Sequence, residues 1–192
     1  NPLGGIKGAA QLLDRALPNE ELQEYTQIII SEADRLRDLV DRMLGPWQPL
    51  ILKPIIIAEV ADRAMSILKV EFGPEINWFR DYDPSLPTVE GDQYQLIQSV
   101  LNIARNACEA LLNTNNPKIS IKTRVTRQFT IGNKRHKSVL QLDLTNNGPS
   151  IEQAFIEQIF FPMISGRASG SGLGLSITQN IISRHEGAVQ VT

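Results

Sequence analysis

A seven-residue spacing of apolar side chains near the amino terminus limits the possible folds more than any other feature. The residues at this spacing are Leu22, Ile29, Leu36 and Met43. Such a repeat predicts a long helix with a narrow apolar seam. A similar seam precedes it, in alternating steps of three and four residues, at Leu3, Ile6, Ala10, Leu13 and Leu17. The two patterns together predict two consecutive helices.

Two breaks in the sequence define the ends of these helices. Pro18-Asn19 separates them, and Gly45-Pro46 ends the second. A hairpin of two helices cannot bury both seams by itself, so we expect a second copy to complete a four-helix bundle in a homodimer. The alternative is that the hairpin packs on the carboxy-terminal part of its own chain. We assign 1–46 to the hairpin, 47–53 to a linker and 54–192 to a second domain.

The second domain alternates between helical and strand patterns. Helices are predicted over 58–70, 92–112 and 152–159 and up to His185, and strands over 76–82, 119–125, 139–144 and after Gly187. This order predicts a two-layer α/β sandwich, and therefore an α+β class for the whole chain. Residues 127–137 are predicted to form a polar hairpin tip. Its basic cluster is expected to be solvated, with phosphate or partner binding as the alternative.

Composition excludes several classes of protein. The 192 residues carry a formal net charge of −2, which favours neither nucleic acid nor an anionic membrane as a partner. No apolar run reaches the ~20 residues that span a bilayer. The single cysteine, Cys108, excludes an internal disulfide and is expected to be a buried small hydrophobe in a cytoplasmic protein. The chain opens without Met and stops within a strand pattern, so we expect it to be a fragment.

A glycine-rich run, 165–175, leads directly into the last helical pattern. Gly170, Gly172 and Gly174 alternate where the helix should begin. Glycines at this position let backbone N–H groups face a ligand, and the helix N-terminus adds unpaired donors and partial positive charge. The run therefore predicts a phosphate site. The alternative is a flexible loop without a ligand, since neither G-x-G-x-x-G nor a Walker pattern is met.

Three other stretches bear on this prediction. Asn102 and Asn106 lie at i and i+4, on one face of the predicted long helix. An Asn oxygen is a hard ligand suited to Mg²⁺ beside substrate phosphates, although an Asn pair bonded to neighbouring backbone is the structural alternative. Asn146-Asn147-Gly148-Pro149 follows a strand and could close over a ligand or be a simple turn. Phe160-Phe161-Pro162 could pack the start of a lid against the core.

The order of these stretches resembles the sequence boxes of sensor histidine kinases. Asn-x-x-x-Asn, Asn-Asn-Gly-Pro, Ile-Phe-Phe-Pro and Gly-Ser-Gly-Leu-Gly-Leu are similar to the N, G1, F and G2 boxes, in that order. The ATP-binding domain of this family shares its fold with DNA gyrase, Hsp90 and MutL. Asn1-Pro2-Leu3 resembles the end of the phosphoacceptor box. Further similarity to the nitrogen-regulation sensor kinases lies in 8–13, 33–37, 40–46 and 161–167.

The resemblance implies a set of residues that bind Mg-ATP. Asn106 would be the Mg²⁺ ligand that bridges to the ATP phosphates, and Asn102 would support it from the preceding turn. Asn102 and Asn106 are therefore the predicted catalytic residues. Gly148 would shape the adenine pocket beside Asn146. The other ATP-binding residues that the resemblance implies are Arg105, Arg167, Gly170, Gly172, Leu173 and Gly174. Gly170, Gly172 and Gly174 would form the hinge of the lid and the helix start that hold the phosphates, with Arg167 in the lid.

The resemblance also implies an activity and partners. Such kinases transfer the γ-phosphoryl group of ATP to a histidine on the dimeric hairpin, and then to an aspartate of a response regulator, here an NtrC-like one. The same hairpin generally serves the reverse phosphatase step, which the signal protein PII controls in this subfamily.

The sequence departs from the family pattern at the phosphoacceptor. The acceptor His and the Glu after it would lie just before Asn1. His136 and His185 are not on the hairpin, and neither is assigned that role. We therefore expect the chain as given to bind ATP without autophosphorylation.

A second departure lies in the predicted adenine pocket. The family normally has Asp where this chain has Asn146, and Gly where it has Ser150. These changes favour one alternative, a kinase-dead sensor that acts as scaffold or phosphatase with weakened ATP binding. A further alternative is an ATPase of the gyrase, Hsp90 or MutL kind, but those relatives favour Glu where Asn102 stands.

The first prediction concerns Asn146. Restoring the carboxylate with Asn146→Asp should tighten Mg-ATP binding about ten-fold, because a charged acceptor for the adenine amino group is stronger by about 1–2 kcal/mol. Calorimetric titration of Mg-ATP into both chains measures this difference. Equal affinities would contradict the assignment of Asn146 to the adenine pocket.

Overall fold

The computed structural model describes residues 2–17, 20–44, 49–162, 164 and 172–191. The chain divides into two compact units, Asn1–Trp47 and Gln48–Thr192. The predicted helix breaks at Pro18-Asn19 and Gly45-Pro46 lie outside the described residues.

The first unit is a pair of helices, α1 (Pro2–Ala16) and α2 (Glu20–Leu44). Small and polar side chains pack where the helices meet: Ala10 and Ala33 are buried, and so is Thr26. The Asp14 carboxylate fixes the pairing, because it accepts hydrogen bonds from the Thr26 hydroxyl and, at 2.7 Å, from Gln27 Nε2. A polar contact at one height therefore sets the register of the two helices.

The predicted apolar seam lies mostly outside this contact. Large seam side chains are about half exposed within the single unit, namely Ile6, Leu13, Leu22, Ile29 and Leu36. One hairpin thus leaves its own seam open to solvent.

The second unit has four helices and five strands among its described residues. The helices are α3 (Ile57–Phe72), α4 (Gln93–Ala110), α5 (Gln153–Ile156) and α6 (Gly174–Arg184). The strands are β1 (Lys53–Ile55), β2 (Asn77–Tyr82), β3 (Val89–Gly91), β4 (Lys118–Ile131) and β5 (Lys134–Asn146). β4 lies between β2, which is parallel to it, and β5, which is antiparallel. β1 and β3 form a separate antiparallel pair.

One face of the three-stranded sheet carries the helices. Ile119 and Ile121 of β4 are fully buried, and their partners in β5 are Asn146 and Leu144. Because side chains alternate along a strand, the even-numbered residues of β5 face the same helical layer. The result is a mixed sheet with helices on one side, which confirms the predicted α+β class and two-layer sandwich.

The core lies between this sheet face and the helices α3 and α4. Met65 and Leu68 of α3 and Cys108 of α4 are fully buried. Helical spacing predicts that five apolar residues of the 92–112 segment face inward, and all are buried: Leu96, Val100, Ala104, Ala107 and Leu111. Burial raises the pKa of the Cys108 thiol to about 11, as fits the predicted packing role.

Several sequence predictions about the second unit were wrong. β1 and β3 were not predicted, because strands of three residues are too short to show alternation. The predicted hairpin is present and turns at Gly132-Asn133, but β4 and β5 extend through 127–131 and 134–137, which were predicted to belong to the tip. Residues 188–191 form no strand. In α3, Ile67 is 37% exposed, although its helical spacing from Val60 and Ala64 predicts that it faces inward with them.

The helical core gives a prediction with a matched control. Leu68→Ala should lower the free energy of unfolding by about 2–5 kcal/mol, since it removes a fully buried side chain. Leu112→Ala removes the same atoms from a side chain that is 71% exposed, and should change the free energy of unfolding by less than about 0.5 kcal/mol. Urea denaturation followed by circular dichroism compares the two. Equal losses would show that the core lies elsewhere.

Candidate functional site

A row of polar side chains follows one face of α4. The helix begins after Asp92, whose carboxylate caps it by accepting the Gln95 N–H at 3.1 Å. The members of the row, three or four residues apart, are Gln95, Ser99, Asn102 and Asn106. Gln95 and Ser99 are buried, Asn102 is half-buried and Asn106 is exposed. The row therefore leads from the interior to solvent.

Asn102 fastens the first turn of α6 to α4. Its Nδ2 donates to the Gly174 carbonyl at 3.0 Å and to the Thr178 hydroxyl at 3.4 Å. The Thr178 hydroxyl donates to the same carbonyl at 2.9 Å, and its side chain is fully buried. The N-terminal end of α6 is thereby held against the middle of α4.

The start of α6 has no side-chain cap among the described residues. Its N-cap is Leu173, which supplies no side-chain hydrogen bond to the first turn, and Leu173 itself is buried. Gly172, just before it, has φ +64°, in the left-handed region that favours glycine. An uncapped helix N-terminus attracts an anion through its N–H groups and its partial positive charge. This end of α6 therefore suits a phosphate group.

Asn106 lies one turn beyond Asn102 on α4. Its side chain is exposed and has no hydrogen bond to another described residue. An amide oxygen is neutral and hard, which is the donor chemistry that Mg²⁺ accepts.

Asn146 and Gly148 lie at the other end of α4. A Cβ at Gly148 would lie 2.9 Å from Asn146 Nδ2 and 3.1 Å from the Ala110 carbonyl oxygen. Only glycine lets the chain after β5 pass so close to the end of α4. The neighbouring Asn147 holds this turn, since its Oδ1 accepts the Lys118 N–H at 2.7 Å.

These contacts define a strip along α4. Asn102, Asn106 and Ala110 are each one turn apart, so the strip is about 12 Å long. The start of α6 contacts one end, and Gly148 contacts the other. The structure therefore places Gly174 against Asn102 and Gly148, with Asn146, against the end of α4, and Asn106 lies between these two contacts along the helix.

Arg105 points away from this strip. Its Nε and Nη2 each donate to a carboxylate oxygen of Glu71 on α3, both at 2.9 Å. The hydrogen bond from Arg105 holds the pKa of Glu71 below its ordinary value, and the same bond raises the pKa of Arg105. The phosphate contact of Arg105 stays a prediction, because Glu71 occupies the guanidinium here.

Two other predicted site residues, Arg167 and Gly170, lie outside the described residues. Ser150 stands where the family has Gly, but its φ is not positive, so a side chain at this position causes no backbone strain.

Sequence reasoning missed two residues that this structure uses. Thr178 lies one turn after Gly174, within an apolar helical pattern. A polar residue in such a pattern indicates a buried hydrogen bond, and this signal could have identified it. Glu71 gave no such signal, because its partnership with Arg105 joins α3 to α4.

None of the described helices is both long and apolar enough to cross a membrane.

Two family models match the chain. Residues 91–192 match the histidine kinase-, DNA gyrase B-, and HSP90-like ATPase family. Residues 1–45 match the His Kinase A (phospho-acceptor) domain. The first match covers the strip on α4 and all of α6.

Curated relatives are similar along the whole chain. It is 45% identical over 192 residues to the sensory histidine kinase/phosphatase NtrB of Salmonella typhimurium, covering 100% of this chain and 55% of the relative. It is 38% identical over 198 residues to NtrB of Rhodobacter capsulatus, with coverages of 100% and 54%. The chain thus spans about half the length of these relatives.

Solved structures share the fold. Full-length ShkA in complex with AMPPNP has a TM-score of 0.66 at 23% identity, over 95% of this chain and 38% of ShkA. Histidine kinase ThkA in complex with response regulator protein TrrA has a TM-score of 0.59 at 24% identity, over 97% of this chain and 52% of the other. At these identities the likeness concerns the fold alone.

The Arg105–Glu71 pair gives a prediction with a pH dependence. The folded pKa of Glu71 is lowered, so the pair contributes stability above the usual carboxyl pKa of 4.5 and loses it as pH falls through the folded value. Glu71→Gln should therefore destabilise the protein at pH 7 by less than about 1 kcal/mol, since both side chains are more than a third exposed. The difference from wild type should vanish at acidic pH.

Urea denaturation at a series of pH values measures this difference. Glu75→Gln, at an exposed carboxylate in the following turn, is the control and should track wild type. A deficit of Glu71→Gln that persists unchanged at pH 3 would contradict the ion pair.

Proposed function

Since this chain belongs to the histidine kinase-, DNA gyrase B-, and HSP90-like ATPase family, and within it to the histidine kinases similar to NtrB, we propose that it is the catalytic core of a two-component sensor kinase. It binds Mg-ATP and transfers the γ-phosphoryl group to a histidine. The observation that carries the proposal is the strip on α4, which has an uncapped helix start at one end and a glycine-restricted turn at the other.

The strip gives the nucleotide a direction. Phosphates lie at the start of α6, where Gly172 and Gly174 expose backbone N–H groups and the helix dipole favours negative charge. The adenine lies at the other end, beside Asn146 and Gly148. The span of about 12 Å between these ends is bridged by the sugar and the phosphate chain.

The metal site fits the residues present. Asn106 offers an exposed carboxamide oxygen without a hydrogen bond to a described residue. Among the described residues no three His, Cys, Asp or Glu side chains are grouped as a metal site, so the ligands would be Asn106, the phosphates and water. When bound, Mg²⁺ neutralises charge that develops on the transferring phosphoryl group.

The protein groups contribute positioning. Asn102 and Thr178 hold the first turn of α6, and therefore the N–H groups that face the phosphates. Because phosphoryl transfer depends on alignment and charge stabilisation, a fixed helix start lowers the barrier without covalent chemistry by the enzyme.

The acceptor histidine is not one of the two in these 192 residues. His136 and His185 both lie in the second unit, and segment 1–46 contains none. In the proposed reaction the phosphoryl group passes to a histidine of the hairpin outside these residues, and then to an aspartate of an NtrC-like response regulator. The reverse phosphatase step, control by a PII signal protein and a cytoplasmic location belong to the same proposal, supported by the similarity to NtrB.

One observation supports a second candidate function. Asn146 is a neutral group in the position proposed for adenine recognition, and its Nδ2 lies close against Gly148. This favours a kinase-dead sensor, acting as scaffold or phosphatase with weakened ATP binding. A dissociation constant for Mg-ATP in the millimolar range or weaker would favour this second function over the first.

Metal-dependent nucleotide binding tests the first function. Asn106→Ala should weaken Mg-ATP binding at least ten-fold, because the only protein ligand proposed for the metal is lost. In EDTA, where no Mg²⁺ is present, the variant and wild type should bind ATP equally. Asn180→Ala, which removes an exposed carboxamide from α6, is the control and should behave as wild type. A magnesium effect that survives in Asn106→Ala would contradict the proposal.

The proposed homodimer rests on the open seam of the first unit. Ile29 is 46% exposed on α2 and lies in the heptad series. Ile29→Glu keeps a good helix former but puts a charge in the seam, so the mass in solution should fall from about twice 21.4 kDa to 21.4 kDa. Light scattering after size-exclusion chromatography measures it. Glu24→Gln, on an exposed position of α2, should stay dimeric, and a monomeric wild type would refute the homodimer.

A further inference from the structure

The carboxy-terminal end of α6 contains a histidine whose two ring nitrogens both have backbone partners. His185 Nδ1 lies 2.8 Å from the carbonyl oxygen of Ile181, one turn earlier in α6. Its Nε2 lies 2.9 Å from the backbone nitrogen of Asp92, which caps α4. One imidazole thus joins the end of α6 to the beginning of α4.

These partners fix the position of the proton on the ring. A carbonyl oxygen can only accept, so Nδ1 must carry hydrogen, whereas a backbone N–H can only donate, so Nε2 must be unprotonated. His185 is therefore neutral and in the Nδ1–H tautomer.

Asp92 carries the connection further. Its Oδ1 accepts the Gln95 N–H, and its Oδ2 accepts the N–H of Ile51 at 3.0 Å. The Asp92 side chain is buried, so these bonds are shielded from water. Ile51 lies three residues after Gln48, where the second unit begins. The buried carboxylate is thus the anchor of the chain at its entry to this unit.

The corner around these bonds is tightly packed. A Cβ at Gly91 would lie 2.8 Å from Leu96 Cδ1 and 3.4 Å from His185 Cδ2. The imidazole ring therefore rests on the backbone of β3, directly before Asp92. A ring in this place cannot move without disturbing the backbone that donates to it.

We infer that His185, held as the Nδ1–H tautomer, is a positioning residue that ties α6 to the anchored entry of the second unit. The bonded series runs from Ile181 through His185 and Asp92 to Ile51. The other end of α6 is the proposed phosphate site, held by Asn102, about 16 Å away along an 11-residue helix. A nucleotide that orders the start of α6 thereby stabilises the backbone at Ile51. This last step rests on the proposed function, whereas the tautomer and the bonded series do not.

The tautomer can be measured directly in the unmodified chain. Because the chain has only two histidines, a ¹⁵N–¹H long-range correlation spectrum shows two imidazole rings, and His136→Gln assigns them. At pH 8 the His185 ring should show a protonated, pyrrole-type Nδ1 and an unprotonated, pyridine-type Nε2. The opposite tautomer, or a mixture of the two, would overturn the inference.

Amide hydrogen exchange tests the bonded series. His185→Phe keeps an aromatic ring but removes both nitrogens, so the Asp92 and Ile51 amides should exchange at least ten-fold faster than in wild type. His136→Phe, on the β4–β5 hairpin, is the matched control and should leave both rates unchanged. Faster exchange of the Asp92 amide with unchanged exchange of the Ile51 amide would show that the connection ends at Asp92. That result would overturn the inference.

Addition of Mg-AMPPNP to the wild-type chain tests the coupling to the nucleotide. It should slow the exchange of the Ile51 amide several-fold, and in His185→Phe this protection should be lost although the analogue still binds. Protection of Ile51 that persists in His185→Phe would refute the role of His185. Failure of the analogue to bind at all would count against the proposed function, and the tautomer and the exchange rates without nucleotide would then decide the inference alone.

Discussion

The contact between Asn102 and the first turn of α6 is the interaction on which the site depends. It joins two helices far apart in sequence through hydrogen bonds from one carboxamide to Gly174 and Thr178. Together with the apolar packing of α6, this contact fixes the backbone at the start of α6 relative to α4. The same helix α4 carries the core at its inner face and meets Gly148 at its end. Core packing and site geometry are therefore set by one element.

The interface between α4 and α6 buries apolar side chains together with polar atoms, and some of these polar atoms have no hydrogen-bond partner among the described residues. Leu173, Ile177 and Ile181 are buried and stabilise the packing of α6. In the same region of α4, Gln95 Oε1 and Ser99 Oγ are buried without a hydrogen-bond partner among the described residues. A buried polar atom in this condition costs about 1–3 kcal/mol. We interpret the cost as the consequence of placing the polar row of the proposed nucleotide site on a core helix, since the row continues from Gln95 to the exposed Asn106.

The sequence was sufficient to predict most of the fold, because long periodic elements carry a strong signal. The inward residues of α4 and the alternation in β4 were both readable from one chain, and the order of the boxes supplied the prediction of a site on α4 and at the start of α6. Contacts between elements were not readable in this way. The ion pair of Arg105 with Glu71, the bond of Asn102 to Thr178 and the bonds of His185 each depend on packing that periodicity does not encode. The short strands β1 and β3 were missed because each is defined by its partner and not by its own three residues.

In the proposed complex a metal-bound nucleotide lies along α4 with its phosphates at the start of α6. Mn²⁺ can replace Mg²⁺ in such a site, and its unpaired electrons broaden the NMR signals of nearby nuclei. With Mn-AMPPNP bound, we expect the strongest broadening at the Asn106 side chain and at the Gly172 and Gly174 amides, with little effect at Trp78 on β2. Broadening centred on β2, or none at Asn106 when the analogue is bound, would refute this arrangement of the nucleotide.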